Sequence, residues 1–258
     1  MNHGLILPTS IAPEEYVFGA SPIKKEVLKP DGQWDEFLPP NEYQNRNLLE
    51  TYNCTAYGTL NCIEILFKFK FGMSEDFSER FTGVAAGTRP PGNNPHIACQ
   101  AIRHKGLISD ELLPFGDISQ IEKYYSPDPL TADLLYSGKS WLDKWEFMHE
   151  WILLNTVLKQ SDLLMETLTH SPVGIAVYAW RRDGAYYTRK NEPENHWATI
   201  YGYKKGEFWK CFDSYDDTRK KLAWNYPFSM GKKFILNKIN TKVEYNWFTS
   251  LMRRLANI

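Results

Sequence analysis

Cysteine is scarce in this chain: there are four, at positions 54, 62, 99 and 211, with no CxxC pair and no regular spacing. That excludes a disulfide framework and fits a reducing, cytoplasmic setting. The six histidines do not complete a metal set. Cys99 and His104 are the nearest mixed pair and nothing supplies further ligands, so neither a metal nor another cofactor is expected. Charge of either sign is not in excess either. The net value of −1 gives no general attraction to nucleic acid or to an anionic membrane. No apolar run is long enough to span a bilayer. The opening "MNHGLILPTSIAPEEY" lacks the charged start and apolar core of a secretory signal. Repeats and low-complexity tracts are missing, and no feature specifies an oligomeric state.

What is abundant is aromatic: nine Trp and fifteen Tyr mark a folded globular protein. The length suits one large domain or two lobes sharing an interface. Residues 1–33 carry Pro8, Pro13, Pro22 and Pro30 with little periodicity, which predicts an extended arm on the body or a short leader. "WDEFLPPNEYQNRN" (34–47) reads as loop. From Ala56 a buried helix is expected, because Leu60, Ile63, Leu66 and Phe67 recur at three- and four-residue steps. "HIACQAIRHKGLI" (96–108) is a second helix stopping at Gly106, and helical patterning is also expected across 140–170.

After Ser171-Pro172 the texture changes to strands at 173–180, 196–205, 207–215 and 232–239. Helices followed by an antiparallel sheet make an α+β pattern. The expected domain at 34–258 has a helical lobe over about 34–170 and a β lobe over about 171–258. A cleft between them is the expected place for a site.

Cys54 falls beside the start of the first helix, where Asn53 or Thr55 offers a cap. Unpaired backbone N–H groups there favour a thiolate. By itself the residue is as well explained as a small buried filler. A nucleophilic thiol needs an imidazole base, and the imidazole needs a polar group to orient it. His196 begins one strand of the β half and Asp213 ends the next. A turn at Lys204-Lys205-Gly206 makes those strands a hairpin and brings the two residues together. Cys62, Cys99 and Cys211 lie in apolar periodic stretches and read as core.

Six stretches, in order, resemble the papain-like cysteine proteases. They are "NCTAYGTLNCIE" around Cys54, "SEDFSERF" (74–81), "GNNPHIACQAIRHKGLISDELLPF" (92–115), "SPVGIAVYAW" (171–180), "NHWATIYGY" (195–203) and "FWKCFDSYDD" (208–217). His196 follows Cys54 by about 140 residues, within the roughly 130–150 expected. The resemblance covers about residues 34 to 238. It implies a two-lobed α+β fold and thiol-dependent hydrolysis of peptide bonds in a peptide or protein substrate, with a Cys54–His196–Asp213 triad.

Several positions depart from the family. Thr51 stands where the family has a disulfide cysteine, Thr55 replaces a tryptophan, and Tyr215 replaces the tryptophan that shields the His–Asp bond. Leu48 occupies the place of the oxyanion-hole glutamine. Gln44, in a similar "Tyr-Gln" context upstream of an insertion, is the expected oxyanion donor together with the Cys54 backbone N–H, and Asn47 is the other amide nearby. The family's long inhibitory prosegment does not fit in residues 1–33. The same triad would also serve transglutaminase-like acyl transfer, and the same fold an inactive binding module.

Overall fold

The computed structural model describes residues 3–11, 15–22, 25–156, 159–215 and 218–239. Parts of the expected arm, the end of the "FWKCFDSYDD" stretch and the C-terminal end of the expected β lobe lie outside the described residues. In chain order the elements are β1 (Gly4–Leu5), the hairpin β2 (Asn45–Arg46) and β3 (Leu49–Glu50), α1 (Cys54–Phe71), α2 (Glu79–Ala85), β4 (Gly92–Asn93), α3 (Pro95–Lys105), α4 (Ile121–Tyr124) and α5 (Ala132–Leu142). There follow β5 (Trp145–Leu153), α6 (Gln160–Leu168), β6 (Val173–Val177), β7 (Arg182–Asp183), β8 (Tyr186–Tyr187), β9 (His196–Lys204), β10 (Phe208–Phe212), β11 (Arg219–Ala223) and β12 (Met230–Lys238). Among the described residues no helix is long and apolar enough to cross a membrane.

Helix α1 is the centre of the molecule. Every residue from Cys54 to Phe67 is buried, which explains why its apolar pattern is nearly continuous. It ends at Gly72 in the left-handed conformation, whose N–H bonds back to the Lys68 carbonyl. The Ser78 hydroxyl caps α2 and the Asn94 side chain caps α3, which stops at Gly106. Strands β5 to β12 form one sheet in the order β5-β12-β6-β9-β10-β11-β8-β7. It is antiparallel except where β8 runs beside β11. α1 lies against β9, and Gly58 permits the approach: a Cβ there would meet the Trp197 ring at 2.8 Å. The Thr199 hydroxyl donates to the Gly58 carbonyl across the same contact (2.9 Å). Leu60, Ile63 and Phe67 of α1, Ile175 and Ile200 of the sheet, and Trp209 join in one core.

One expectation is corrected. Residues 145–153, read as helix, are strand β5, paired over its whole length with β12 from Trp145↔Lys238 to Leu153↔Met230. The expected helical lobe at 34–170 therefore contributes a strand to the sheet. All but two of its residues are buried, so no polar face reveals a period of two. The tryptophans at 141, 145 and 151 imitate a helical stripe instead. Helices do flank this strand, as α5 and α6.

The arm braces that edge of the sheet. Val17 bridges to Trp151, the Trp151 N–H donates to the Tyr16 carbonyl, and the Phe18 N–H donates to the Trp151 carbonyl (both 2.8 Å). The Glu150 carboxylate accepts from the Ser21 N–H at 2.9 Å and from Lys233 Nζ at 3.0 Å. Further on, the Trp34 indole N–H donates to the Leu168 carbonyl from a fully buried position.

Candidate active site

Cys54 is the first residue of α1 and is completely buried. Asn53 precedes it, but its side chain does not cap the helix; its amide donates to the Glu79 carbonyl (2.8 Å). The backbone N–H groups of Trp197 and Thr55 favour the ionised sulfur of Cys54. Its apolar neighbours are Leu5, Trp151, Ala176 and Trp197. Burial pushes the thiol well above its ordinary range, and the charges of Glu50 and Asp213 add to this. The two N–H groups oppose the rise without cancelling it. The helix terminus alone predicts a thiolate; burial in this arrangement outweighs it.

The hairpin of β9 and β10 turns at 204–206, with the Glu207 N–H bonded to the Lys204 carbonyl. A register shift at Lys210/Cys211 then carries the end of β10 back toward the start of β9. His196 Nε2 and Asp213 Oδ1 meet there at 2.5 Å, both side chains fully buried. With Asp213 accepting at Nε2, Nδ1 is the lone-pair nitrogen, and it is buried without a hydrogen-bond partner. The other carboxylate oxygen of Asp213 pairs with Lys220 Nζ at 2.9 Å. Burial pushes the Asp213 carboxyl up, but His196 and Lys220 outweigh it and hold the group below the usual carboxylate range. Trp180 and Tyr215 present edges and faces to the imidazole, with ring centroids 5.6 and 5.0 Å away.

Gln44 reaches the same place and is fully buried. The hairpin of β2 and β3 absorbs the extra residues: Asn47 and Leu48 form its tip, both with positive φ (54° and 61°). Leu48 projects into solvent, and the Asn47 amide donates away from the site to the Gly116 carbonyl. The Gln44 side-chain carbonyl accepts from the Ser214 hydroxyl at 2.7 Å, which fixes the amide's orientation. Its NH2 group donates to Glu50 Oε1 at 2.7 Å, to the Tyr215 hydroxyl at 3.1 Å and to the His3 carbonyl at 3.2 Å.

Glu50, Lys220 and His3 were missed by sequence reasoning. Lys220 did leave a signal, since it and Leu222 share the inward phase of a strand whose Arg219 and Lys221 face solvent. Glu50 accepts from the Tyr215 hydroxyl and from the Tyr52 N–H. Burial raises its carboxyl, but hydrogen bonds from His3, Tyr215, Gln44 and Tyr52 hold it below its ordinary range. His3 lies across the site: its N–H donates to the Asn195 carbonyl (3.0 Å) and its Nδ1 meets the Tyr215 hydroxyl at 2.9 Å. β1 continues alongside β4 in parallel register, Gly4 against Gly92 and Leu5 against Asn93. Gly92, at φ 138°, is required here, because a Cβ would meet the Gly4 carbonyl oxygen at 2.0 Å. The start of the arm thus lies over Cys54.

The two-lobed α+β frame, with Cys54 at the start of α1 and His196 paired with Asp213 on the sheet, has a papain-like fold. Solved structures agree. Digestive procathepsin L 3 of Tenebrio molitor larval midgut matches with a TM-score of 0.55 at 14% identity, over 84% of this chain and 72% of that one. The cysteine protease and lectin-like domains of Cwp84, a surface layer associated protein of Clostridium difficile, match at 0.60 and 14%, over 80% of this chain and 51% of that one. Recombinant stem bromelain precursor matches at 0.53 and 16%, over 80% and 68%. The chain therefore spans about half of the Cwp84 structure. These likenesses are in fold. No protein-family model matches the chain, and no curated protein matches it in sequence.

Proposed function

We propose that this chain hydrolyses peptide bonds through an acyl-thioester on Cys54. The thiol proton passes to His196 Nδ1 as the sulfur attacks the scissile carbonyl, and Asp213 holds the imidazole by its Nε2–H. The Gln44 amide and the Cys54 backbone N–H receive the developing oxyanion. The imidazolium then returns the proton to the leaving amine, and water releases the acyl group. One observation carries this reading: the Gln44 amide already holds a peptide carbonyl, that of His3, while the Asn195 carbonyl takes the N–H of the same residue. Those are the contacts a bound peptide would make beside Cys54.

The arm is accordingly an intramolecular occupant at residues 3–6 as well as a brace further on, and must leave before substrate enters. A reducing compartment such as the cytoplasm suits four cysteines that are all free. The test is a chain lacking residues 1–6, treated with a peptide vinyl sulfone and with a mixture of peptides. Expected are one adduct, on Cys54, and peptide cleavage that Cys54→Ala abolishes. Covalent incorporation of an added primary amine in place of hydrolysis would identify a transferase. Glu50 favours the reading as an inert binding module: its anion beside Gln44 and Cys54 opposes both thiolate and oxyanion. A truncated chain that neither cleaves peptides nor takes the adduct would establish that reading.

A further inference from the structure

A second group of charged side chains lies away from the catalytic cysteine, in the helical lobe. Oxygen atoms of Glu42, Glu64 and Asp76 all lie within 4.8 Å of one another. They come from the loop before β2, the middle of α1 and the loop before α2. Glu64 is buried and anchored, since its Oε1 accepts from the Phe77 N–H at 2.9 Å. Glu42 is half-buried and Asp76 exposed, so the group opens to solvent on one side.

A fourth carboxylate points to a ligand independently. Glu79 is 3% exposed, and among the described residues its buried Oε1 has no hydrogen-bond partner. Its carboxyl approaches that of Glu42, and the charge of Glu64 acts on it. The Asp110 carboxyl faces Glu42 and Asp76 from the turn after α3. Among the described residues Arg46 is the one cation facing the group, 3.7 Å from Glu42 Oε1, with its Nε committed to the Tyr43 carbonyl. One peripheral arginine does not neutralise this many buried acids.

We propose that Glu42, Glu64, Asp76 and Glu79 form a binding site for one hard divalent cation of about the size of calcium. The donors are all oxygens, which suits calcium, magnesium or manganese and not a softer metal. Oxygens on opposite sides of a calcium ion lie about 4.6–5.2 Å apart given bond lengths of 2.3–2.6 Å, so the observed spacing spans one ion. Water on the Asp76 side completes the shell. The four ligands are scattered over 38 residues of chain, and a search for Cys and His spacing passes over them. The ion would tie α1, α2 and the β2–β3 hairpin together, and the site is independent of the hydrolase reading.

The test uses the full chain after chelator treatment, titrated with CaCl2 by calorimetry and with Tb3+ by luminescence. Tyr57 and Tyr124, on which the charge of Glu79 acts, would sensitise the lanthanide. Expected are one ion per chain, displacement of Tb3+ by Ca2+, and a melting temperature that calcium raises and chelator lowers. Glu42→Gln with Asp76→Asn should weaken binding by more than about 10- to 100-fold, the cost of altering even a supporting group at a metal site. Asp76→Asn alone, at the exposed mouth, gives the same direction if the double variant misfolds. Two results would overturn the proposal. One is no saturable binding of Ca2+, Mg2+ or Mn2+ up to about 10 mM, beyond the weakest calcium modules, which leaves the acids neutralised by protons. The other is binding that the variants leave unchanged.

Discussion

Replacing Lys220 with methionine removes the cation paired with Asp213 while keeping most of the side chain's length. The ammonium lies 2.9 Å from Asp213 Oδ2, and neither side chain is more than 1% exposed. Deleting one partner of a buried ion pair typically costs about 3–5 kcal/mol. His196 stays on Oδ1, so Asp213 keeps one partner, and about 3 kcal/mol is expected. For a chain of this size that lowers the melting temperature by about 2–4 °C per kcal/mol.

The sign of the pH dependence follows from both groups. Asp213 is held below its ordinary range, so its contribution is present above the unfolded value and lost as pH falls through the folded one. Burial pulls Lys220 down, but Asp213 outweighs it and raises the ammonium above its ordinary range. That contribution is present below about pH 10 and lost above. The Lys220→Met deficit is therefore largest near neutrality and shrinks below about pH 4. Urea unfolding at pH 7 and at about pH 2, well below the unfolded carboxylate value, measures it, repeated in an Asp213→Asn background to complete a double-mutant cycle. A deficit under about 1 kcal/mol at pH 7, or one that simply adds to that of Asp213→Asn, would refute the pairing.

Three outcomes concern Cys54. Gln44→Ala should slow peptide cleavage by about 10²–10³ while iodoacetamide still labels Cys54 at the parent rate; Asn47→Ala, whose amide faces Gly116, should change neither. Deleting residues 1–6 should speed alkylation of Cys54, since Leu5 packs in the same buried cluster; equal rates with and without those residues would make the arm a brace only. In that truncated chain Glu50→Gln should bring the pH of half-maximal alkylation down, because it removes a charge that raises the thiol; an unchanged profile would mean that Glu50 does not act on Cys54.

How legible the molecule was depends on how local each signal is. Helix α1, the Gly106 stop of α3 and the hairpin turn at 204–206 follow from periodicity and turn chemistry within a few residues. Strand β5 did not, because its two faces are both buried and its aromatic spacing fits either period. That the Gln44 side chain turns inward and the Asn47 side chain outward depends on the β2–β3 hairpin. Positive φ at Asn47 and Leu48 turns that tip outward, and nothing in the local pattern announces it. The carboxylates at 42, 64, 76 and 79 are unremarkable until folding brings them together.

The sequence by itself determined the α+β order of elements, the buried helix from Ala56 with Cys54 beside its start, and the hairpin that pairs His196 with Asp213. Each is a short-range property of apolar spacing and turns. Only the tertiary structure decided that Lys220 backs Asp213, that Glu50 and Ser214 orient Gln44, that His3 bonds to Gln44 and Tyr215, and that Leu5 packs in one cluster with the buried Cys54. Those contacts join residues far apart in the chain. Their pairing depends on how close Gly58 lets α1 approach β9, and Gly92 lets the arm approach β4.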